Sequence, residues 1–348
     1  MSKVLIARLG AIGDTIITTP LVSLLFNSNC EVYYLTSEVG ALLLENNPKI
    51  KKIITHVKDS VPSSKLGEYF ESVKLAYECE YLIDLCESIE VNLALHPSDP
   101  RYKYTKNERK EMCDRNYYQE TLEIAQRQLA KQGYDLVIEG AELNPEYYFT
   151  EEEDKAMRKT FADYKGAYVI VLGLSGSARQ KVFPYYKELI EKITDEIPGT
   201  EFITVGDESC QILEYNLAGM DNVLCTSGIW SIRQSIHATK YANLIISPDT
   251  GLLHGSGCYD TPKIGLLTST SKENITKHFK NDYSIEAEGV GCSPCFYLIH
   301  DADTQCPLDE NRACLCMSKG HNVANITDRV LEVFLNTPQK RILEIVNV

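Results

Sequence analysis

Short apolar runs alternate with stretches of helical periodicity along the first 150 residues. Apolar runs of about four to eight residues are typical of buried strands, whereas apolar positions three or four apart are typical of helices. Pro20 is expected to bend the first helix, because proline lacks an N–H and clashes with the preceding turn. The predicted elements are a strand at 3–9, a helix at 14–26, strands at 31–35, 81–84 and 136–138, and a long charged helix at 107–131.

A second alternation follows Thr150-Glu151-Glu152-Glu153, which has the spacing of a capping box. The helix that begins there is expected to end near residue 166 and to connect two domains. Strands that alternate with helices form parallel sheets covered on both faces, so the predicted fold class is α/β. The later strands are predicted at 168–172, 202–205, 243–246 and 263–267, with helices beginning near Pro184, Glu208, Ile229 and Gly251.

The composition suits two globular domains: the chain has 348 residues, of which 44% are hydrophobic. A formal net charge of −14 argues against nucleic acid as a partner, because a phosphate backbone needs a basic surface. A basic stretch from Arg101 to Arg115 departs from this acidic balance. Two interpretations of it are open, a solvated helix face or loop and a surface that receives an anionic acceptor.

No signal-peptide pattern is visible, and no apolar run approaches the roughly 18 residues of a membrane-spanning helix. The expected location is therefore cytoplasmic, and peripheral contact with the inner face of a membrane is compatible with it. Seven of the twelve cysteines are scattered through helix and strand patterns and are expected to be buried thiols.

The segment 245–254 combines an apolar run, a turn with an acid, a hydroxyl and a glycine, and the start of a helix. Open α/β sheets build ligand sites in this way, because strand ends present polar groups and the next helix directs N–H groups at an anion. Ser247, Asp249 and Thr250 are also good helix caps, so a well-capped core helix is the alternative. A lone helical histidine such as His254 is usually structural.

Gly10, Ala11, Gly13 and Asp14 lie between the first predicted strand and the first helix. Glycines there allow a ligand to approach the backbone closely. Only Gly-x-x-Gly is present, so the dinucleotide fingerprint is incomplete, and the Gly-Lys-Ser/Thr of a P-loop is absent. Asp14 is either a helix cap or a carboxylate that accepts a proton from a hydroxyl.

Two more polar loops follow strands of the second half. Residues 174–184 place hydroxyls, a glycine and Lys181 ahead of a helix opened by proline, which suits a diphosphate. Gly206-Asp207-Glu208 places acids where they either bind a ribose or base, or complement a helix dipole. Several such loops at strand ends of one half favour a common site.

In this order the segments resemble glycosyltransferase family 9, the bacterial heptosyltransferases of lipopolysaccharide core assembly and their relatives, over nearly the whole chain. The most specific matches are residues 8–14 with Thr18-Thr19-Pro20, and residues 249–254. Lys181-Val182-Phe183-Pro184 looks like the family's Lys-x-aromatic-Pro, and Gly206-Asp207-Glu208 matches its Gly-x-Glu.

The resemblance implies the GT-B architecture, two Rossmann-like domains whose parallel sheets face across a cleft. It implies an acceptor-binding domain at 1–150, a connector helix at 151–166, a nucleotide-sugar domain at 167–336 and a tail at 337–348. The implied activity is inverting sugar transfer without a catalytic metal, from a nucleoside-diphosphate sugar to a glycan, lipid-linked or protein acceptor. An ADP-sugar and heptose are the family's usual choices.

Individual roles carry over by position. Asp14 is the implied general base, and Gly10, Ala11 and Gly13 form the acceptor-side loop. The implied donor-binding residues are Ser175, Ser177, Lys181, Glu208, Asp249, Thr250, Gly251 and His254.

The chain also departs from the family pattern. Ser175 and Ser177 stand where the lipopolysaccharide enzymes commonly carry threonines, and residues 255–258 replace an alanine-rich helix. The acceptor-side loops do not match closely, so the sugar and the acceptor do not transfer. A non-catalytic nucleotide-sugar-binding or scaffold protein of glycan assembly is the alternative function, and the incomplete fingerprint disfavours a nicotinamide-dependent oxidoreductase.

Five cysteines lie within 25 residues, namely Cys292, Cys295, Cys306, Cys314 and Cys316. Disulfides are disfavoured without a secretory signal. Four thiolates in a tetrahedral array would bind structural zinc or iron, and half-buried thiols in a loop are the alternative. The resemblance adds that many family members carry a similar Cys-x-Pro-Cys with later cysteines, and that some relatives that glycosylate proteins hold iron there.

Overall fold

The computed structural model of the chain describes residues 1–86, 103–176, 178, 181–297, 306, 309–310 and 313–337. The described residues form two compact units, each with its own hydrophobic core. Those among 1–93 and 115–149 make up the first unit, and those among 94–114 and 150–348 make up the second. A short stretch from the middle of the first half therefore folds with the second half.

The first part of the chain contains strands and helices in regular alternation. In chain order they are β1 (Ser2–Arg8), α1 (Ile12–Ile17), α2 (Thr19–Asn27), β2 (Cys30–Ser37), α3 (Glu38–Leu44), β3 (Ile50–His56), a 3₁₀ turn (Ser63–Lys65), α4 (Leu66–Ala76), β4 (Tyr81–Asp84), α5 (Lys106–Cys113) and α6 (Tyr117–Lys131).

The first unit is built on a four-stranded parallel sheet in the order β3-β2-β1-β4. Val4 and Ile6 of β1 pack on one face against α2 and α6, whereas Leu5 and Ala7 pack on the other face with Phe70 of α4. These four side chains of β1 are fully buried. Burial on both faces explains why this strand is continuously apolar in the sequence.

Two predictions for this region are wrong. Residues 136–138 are not a strand; Leu136 is buried in the first core without joining the sheet. The predicted helix 107–131 is two helices, α5 and α6, that belong to different units. Asn116 separates them, because its Oδ1 caps α6 by accepting hydrogen bonds from the N–H groups of Tyr118 and Gln119 at 3.2 and 3.1 Å.

The predicted helix 14–26 is also interrupted. Thr18 ends α1 and serves as the N-terminal cap residue of α2. Pro20 lies in the first turn of α2, where the N–H that proline lacks would have no partner within the helix. The structure therefore has two helices that meet at Thr18, where one helix bent at Pro20 was expected.

The second part of the chain begins at the connector helix. Its elements are α7 (Glu151–Ala162), β5 (Tyr168–Gly173), α8 (Tyr186–Glu196), β6 (Thr200–Val205), a 3₁₀ turn (Glu208–Cys210), α9 (Gln211–Glu214), a 3₁₀ turn (Tyr215–Leu217), β7 (Val223–Cys225), α10 (Ile232–Tyr241), β8 (Leu244–Pro248), α11 (Gly251–Ser256), β9 (Lys263–Leu267), α12 (Lys272–Ile275), β10 (Ile285–Glu286), β11 (Asp309–Glu310), β12 (Ala313–Cys314), a π-helical turn (Cys316–Gly320) and α13 (Val323–Asn336).

The second unit is built on a six-stranded parallel sheet in the order β10-β9-β8-β5-β6-β7. The chain adds β6 and β7 on one side of β5, then crosses to add β8, β9 and β10 on the other. Ligands of such sheets bind beyond the carboxyl ends of the strands at this switch point. The loops after β5 and β8 therefore lie where a ligand site is expected.

Helix α7 begins at the predicted capping box. The Thr150 hydroxyl accepts a hydrogen bond from the Glu153 N–H at 3.1 Å, and the Glu153 carboxylate accepts one from the Thr150 N–H at 2.8 Å. Glu153 also pairs with Arg233 of α10, at 2.5 and 2.7 Å. This pairing lowers the pKa of Glu153 to about 2. The helix is thus fastened to the second unit at its first turn.

The fold is α/β with two parallel sheets, so the predicted fold class is confirmed. The strands predicted in the second half are all present, with boundaries shifted by at most two residues. Within the described part of the chain, no helix combines the length and the apolar character needed to span a membrane.

Candidate functional site

The turn after β8 places a buried carboxylate among three polar side chains. Asp249 Oδ2 accepts hydrogen bonds from Lys181 Nζ at 3.4 Å and from Thr270 Oγ1 at 3.3 Å. Asp249 Oδ1 lies 3.4 Å from His254 Nε2, one turn into α11. Both carboxylate oxygens are therefore engaged, by residues that follow β5, β8 and β9.

The ionisation of Asp249 depends on this arrangement. The side chains of Asp249 and Lys181 are each 11% exposed. Burial alone would raise the pKa of the carboxyl, but the Lys181 ammonium and the His254 ring outweigh it and hold the pKa of Asp249 well below its usual range. Lys181 has three N–H donors, and Asp249 is its one hydrogen-bond acceptor among the described residues. The ammonium is therefore held in place by the carboxylate.

Thr250 precedes α11 but does not cap it with its side chain. Its hydroxyl lies 3.0 Å from the Ser247 hydroxyl. Asp249 is committed to Lys181, Thr270 and His254. Asp249 and Thr250 therefore do not cap the helix with their side chains, although the sequence suggests that they could. This contradicts the interpretation of the segment as only a well-capped helix. Gly251 is the first residue of α11.

The loop after β5 approaches the turn after β8 closely at Gly176. A Cβ at this position would lie 2.7 Å from Lys181 Cδ and 2.8 Å from Thr250 Cγ2, which is closer than carbon atoms normally approach. The glycine therefore allows the two loops to meet. The Ser175 hydroxyl donates to the Gly176 carbonyl at 3.3 Å. Ser177, also predicted in this site, lies outside the described residues.

Glu208 lies apart from this cluster. It follows β6 and is exposed. A Cβ on Gly228, in the loop after β7, would lie 2.9 Å from Glu208 Cγ. In the part of the chain that the structure describes, no hydrogen bond or ion pair joins Glu208 to Lys181 or Asp249. The predicted donor residues therefore divide into a connected cluster around Asp249 and a separate position at Glu208.

A buried carboxylate that sequence reasoning missed organises the edge near Glu208. Glu214 Oε1 accepts hydrogen bonds from the hydroxyls of Thr204 at 2.5 Å and Ser227 at 2.6 Å. It also accepts from the N–H groups of Thr226 at 3.2 Å and Ser227 at 3.1 Å. Glu214 thereby ties the loop after β7 to β6. A single glutamate in a four-residue helix has no distinguishing sequence pattern, so no signal was available.

In the first unit, Asp14 lies in the first turn of α1, next to Gly13. Asp14 Oδ2 accepts a hydrogen bond from the Ala11 N–H at 2.8 Å and lies 3.1 Å from the NH2 group of Arg8. Among the described residues, no hydrogen bond or ion pair involves the other oxygen, Oδ1. Asp14 therefore acts as a helix cap and also keeps one oxygen for another donor.

Arg8 is a second residue whose role sequence reasoning missed. Its side chain is 1% exposed and its NH1 group donates to the Leu85 carbonyl at 2.7 Å, which ties the end of β1 to the chain after β4. Gly10 leaves room for this pair: a Cβ there would lie 2.5 Å from Asp14 Oδ2 and 3.0 Å from Arg8 Cζ. The available signal was a cation that closes an otherwise apolar strand.

In the basic stretch between Arg101 and Arg115, the two central cations, Lys106 and Arg109, form neither a solvated face nor a surface for an anion. Lys106 Nζ donates to the carbonyls of Gly291 at 3.0 Å and Ser293 at 2.7 Å. Arg109 is 6% exposed, and its Nε donates to the Cys295 carbonyl at 2.8 Å. Both charges serve contacts within the second unit, whereas Arg101 lies outside the described residues.

The described cysteines of residues 292–316 lie close together, and no disulfide joins them. Burial, with the nearby Cys292 and Cys306 thiols, raises the pKa of Cys295 to about 12. Within the described residues, no three Cys, His, Asp or Glu side chains are arranged to hold a metal ion.

The model of glycosyltransferase family 9 (heptosyltransferase) matches residues 98–302, more than half of the chain. No curated protein matches this sequence.

Solved structures of several proteins share the fold at low sequence identity. A family 9 glycosyl transferase from Veillonella parvula is 15% identical, with a TM-score of 0.68 over 97% of this chain and 98% of that one. The ADP-heptose LPS heptosyltransferase II of E. coli is 15% identical, with a TM-score of 0.63 over 98% and 99%. The iron-containing dodecameric glycosyltransferase TibC of enterotoxigenic E. coli is 11% identical, with a TM-score of 0.57 over 96% and 76%. The predicted GT-B-like fold is thereby confirmed.

Proposed function

This chain belongs to glycosyltransferase family 9 (heptosyltransferase), and we propose that it transfers a sugar from a nucleoside-diphosphate donor to a hydroxyl acceptor with inversion at the anomeric carbon. The observation that carries the proposal is the buried Lys181–Asp249–His254 cluster at the switch point of the second sheet. We assign donor binding to the second unit and acceptor binding to the first.

The donor diphosphate is assigned to Lys181 and its neighbours. Asp249 holds the lysine through an ion pair, and Lys181 and His254 keep the pKa of Asp249 below its usual range. The Ser175 and Thr250 hydroxyls, together with Ser177 and Gly251, complete the phosphate side, and His254 lines the sugar. Charge-assisted hydrogen bonds to phosphate are the strongest contacts available there. Glu208, at the next strand end, is assigned to the nucleoside.

ADP-heptose is the proposed donor. The family model is that of heptosyltransferases, and the E. coli structure similar to this chain is named for ADP-heptose. We propose a saccharide hydroxyl as the acceptor, in lipopolysaccharide core, a lipid-linked glycan or a glycoprotein.

Asp14 is the proposed general base. Its Oδ1 takes the proton of the acceptor hydroxyl while the hydroxyl oxygen forms a bond to the anomeric carbon. The bond from that carbon to the diphosphate oxygen breaks, and the nucleoside diphosphate leaves with the bonding electron pair. Lys181 meets the charge that develops on the departing diphosphate. Arg8 and the Ala11 N–H hold Oδ2, which orients the carboxylate.

We propose that this chemistry needs no divalent metal, because Lys181 supplies the positive charge at the diphosphate. A structural zinc or iron at Cys292, Cys295, Cys306, Cys314 and Cys316 is a separate proposal. It is supported by the crowding of these thiols and by the iron-containing relative. Elemental analysis of protein purified without added metal tests it: a folded, metal-free sample would end this proposal. Undiminished turnover in EDTA is the expected result for the transfer reaction.

The function is tested by incubating the full chain with ADP-heptose and candidate saccharide acceptors while ADP release and product mass are followed. ADP-glucose and UDP-sugars are the control donors. Acceptor-dependent ADP release with a product heavier by one heptosyl group is expected. Donor binding without release or transfer for any acceptor would instead support a non-catalytic nucleotide-sugar-binding protein.

A further inference from the structure

Thr270, which bonds Asp249 from the loop after β9, belongs to a run of buried hydroxyl residues. We call residues 268–271 the β9 loop. Their exposed fractions lie between 4% and 8%. Loops normally lie at the surface, because their backbone groups need water as a partner. A buried loop must instead be held by specific bonds.

One set of bonds comes from the cysteine-containing segment 291–297. The Ser293 hydroxyl donates to the Thr268 carbonyl at 2.9 Å. The Phe296 N–H donates to the Ser269 carbonyl at 2.8 Å. These two bonds satisfy carbonyls in the first half of the β9 loop.

A second set comes from the end of α5. The Ser271 hydroxyl donates to Asp114 Oδ1. The Asn274 Nδ2 group donates to the Cys113 carbonyl at 2.8 Å, one of the last carbonyls of α5, which have no partner within the helix. Ser271 and Asn274 also bond each other reciprocally as the capping box of α12. The second half of the β9 loop is therefore joined to α5.

Helix α5 also holds the segment that supports the first half of the loop. Lys106 binds the carbonyls of Gly291 and Ser293, and Arg109 binds that of Cys295. The Arg109 guanidinium lies 4.0 Å from the ring centre of Tyr297, within the range of a cation–π contact. The eight-residue helix α5 is thus one support of the β9 loop and also holds the other, segment 291–297.

We propose that α5 is a brace for donor binding: through Asp114 and Ser271 it holds Thr270 against Asp249, and Asp249 in turn holds the diphosphate lysine, Lys181. Thr270 and Asp114 are positioning residues in this scheme. This inference rests on the proposed function, because it assumes that Lys181 binds the donor diphosphate. The physical reason is that a lysine side chain loses much rotamer freedom when it is fixed, so a carboxylate fixed beforehand makes binding of an anion less costly.

The test replaces Thr270 with valine, which removes the hydroxyl and keeps the shape, and with serine, which keeps the hydroxyl. Binding of ADP to the full chain is measured by calorimetry, and the donor KM and kcat are measured by transfer. Thr270→Val is expected to weaken ADP binding and raise the donor KM about three- to tenfold, the effect of one hydrogen bond to a charged group acting indirectly. Thr270→Ser is expected to restore both within about twofold, with kcat similar in both variants.

Asp114→Ala is expected to act in the same direction with a smaller effect. The matched control is Glu273→Gln on α12, whose carboxylate pairs with Lys277 at 2.6 Å and is 41% exposed. It is expected to leave ADP binding unchanged. If Thr270→Val does not fold, Asp114→Ala decides by the same measurement.

The brace would be overturned if Lys181→Ala binds ADP weakly while Thr270→Val binds ADP as tightly as the wild type. If Thr270→Val is unfolded, the same comparison is made with Asp114→Ala. Wild-type ADP affinity in Lys181→Ala would instead overturn the proposed donor site itself. The two failures are therefore distinguishable.

Discussion

The acidic turns at Asp14 and Asp249 are built from similar parts and differ in how their oxygens are used. Each aspartate follows a parallel strand, lies within two residues of a glycine and pairs with a cation. Asp14 uses Oδ2 alone for Arg8 and the Ala11 N–H. Asp249 uses both oxygens, for Lys181 and Thr270 on one side and His254 on the other.

This difference separates two kinds of chemistry. A general base needs an oxygen that a substrate hydroxyl can reach, and the described contacts of Asp14 leave Oδ1 for that purpose. A carboxylate with both oxygens engaged serves to fix the groups around it. We propose that the number of engaged oxygens separates a general base at Asp14 from a positioning carboxylate at Asp249.

Asp14→Asn is the largest expected effect. The amide cannot accept the proton, so turnover is expected to fall roughly a hundred- to ten-thousandfold, the usual contribution of a general base. ADP affinity, measured by calorimetry, is expected to stay within about twofold because no donor contact is changed. Asp249→Asn is the reciprocal control and should lose ADP affinity. Undiminished turnover in Asp14→Asn would remove this residue as the base.

Lys181→Ala tests the other turn. It removes the proposed diphosphate contact and leaves Asp249 without its cation, so ADP affinity is expected to fall about ten- to a hundredfold. Lys192→Ala is the control, since that exposed lysine pairs with Glu196 on α8. Equal ADP affinity in the two variants would show that Lys181 does not bind the donor.

Gly10→Ala is expected to disturb the orientation of Asp14 without removing it. The new methyl group would meet Asp14 Oδ2 at 2.5 Å and Arg8 Cζ at 3.0 Å. We expect a loss of turnover of about tenfold with ADP affinity unchanged, since misplacement of a catalytic group by less than 1 Å is costly. Gly67→Ala in α4 is the control, because a methyl group there meets nothing within 4 Å. Similar turnover in both variants would contradict the role of Gly10.

The smallest expected effect is on the pH dependence of the free energy of unfolding. The folded-state pKa of Asp249 is held below its usual range by Lys181 and His254, against the effect of burial. A carboxyl with a depressed folded pKa adds stability above its unfolded pKa of about 3.9, and this stability is lost as the pH falls further. The difference in urea midpoint between wild type and Asp249→Asn should therefore be largest near pH 7 and shrink below about pH 4.

The control for this measurement is Asp260→Asn, at a carboxylate that is 68% exposed and pairs with Lys280 at 3.3 Å. Exposed pairs contribute little, so its midpoint should follow that of the wild type at every pH. A difference between wild type and Asp249→Asn that is the same at pH 7 and at pH 3.5 would contradict the depressed pKa.

Local patterns in the sequence were sufficient to predict most strands of the two parallel sheets and the start of one helix. The apolar runs within β1, β5, β6, β8 and β9 predict strands because burial on both faces favours apolar side chains. The Thr150 capping box predicts α7 because its two hydrogen bonds lie within four residues. Residues 136–138 were misassigned since a buried apolar run resembles a strand whether or not it pairs.

The sequence by itself determined most of the strands and which acids and cations follow them, because periodicity and turn residues act over a few positions. Only the tertiary structure decided what those residues do. Arg8 meets Leu85, Lys181 meets Asp249 and Asp114 meets Ser271, at separations of 77, 68 and 157 residues. A local pattern records that a side chain is polar or buried, whereas its hydrogen-bond partner depends on which strand ends the fold brings together.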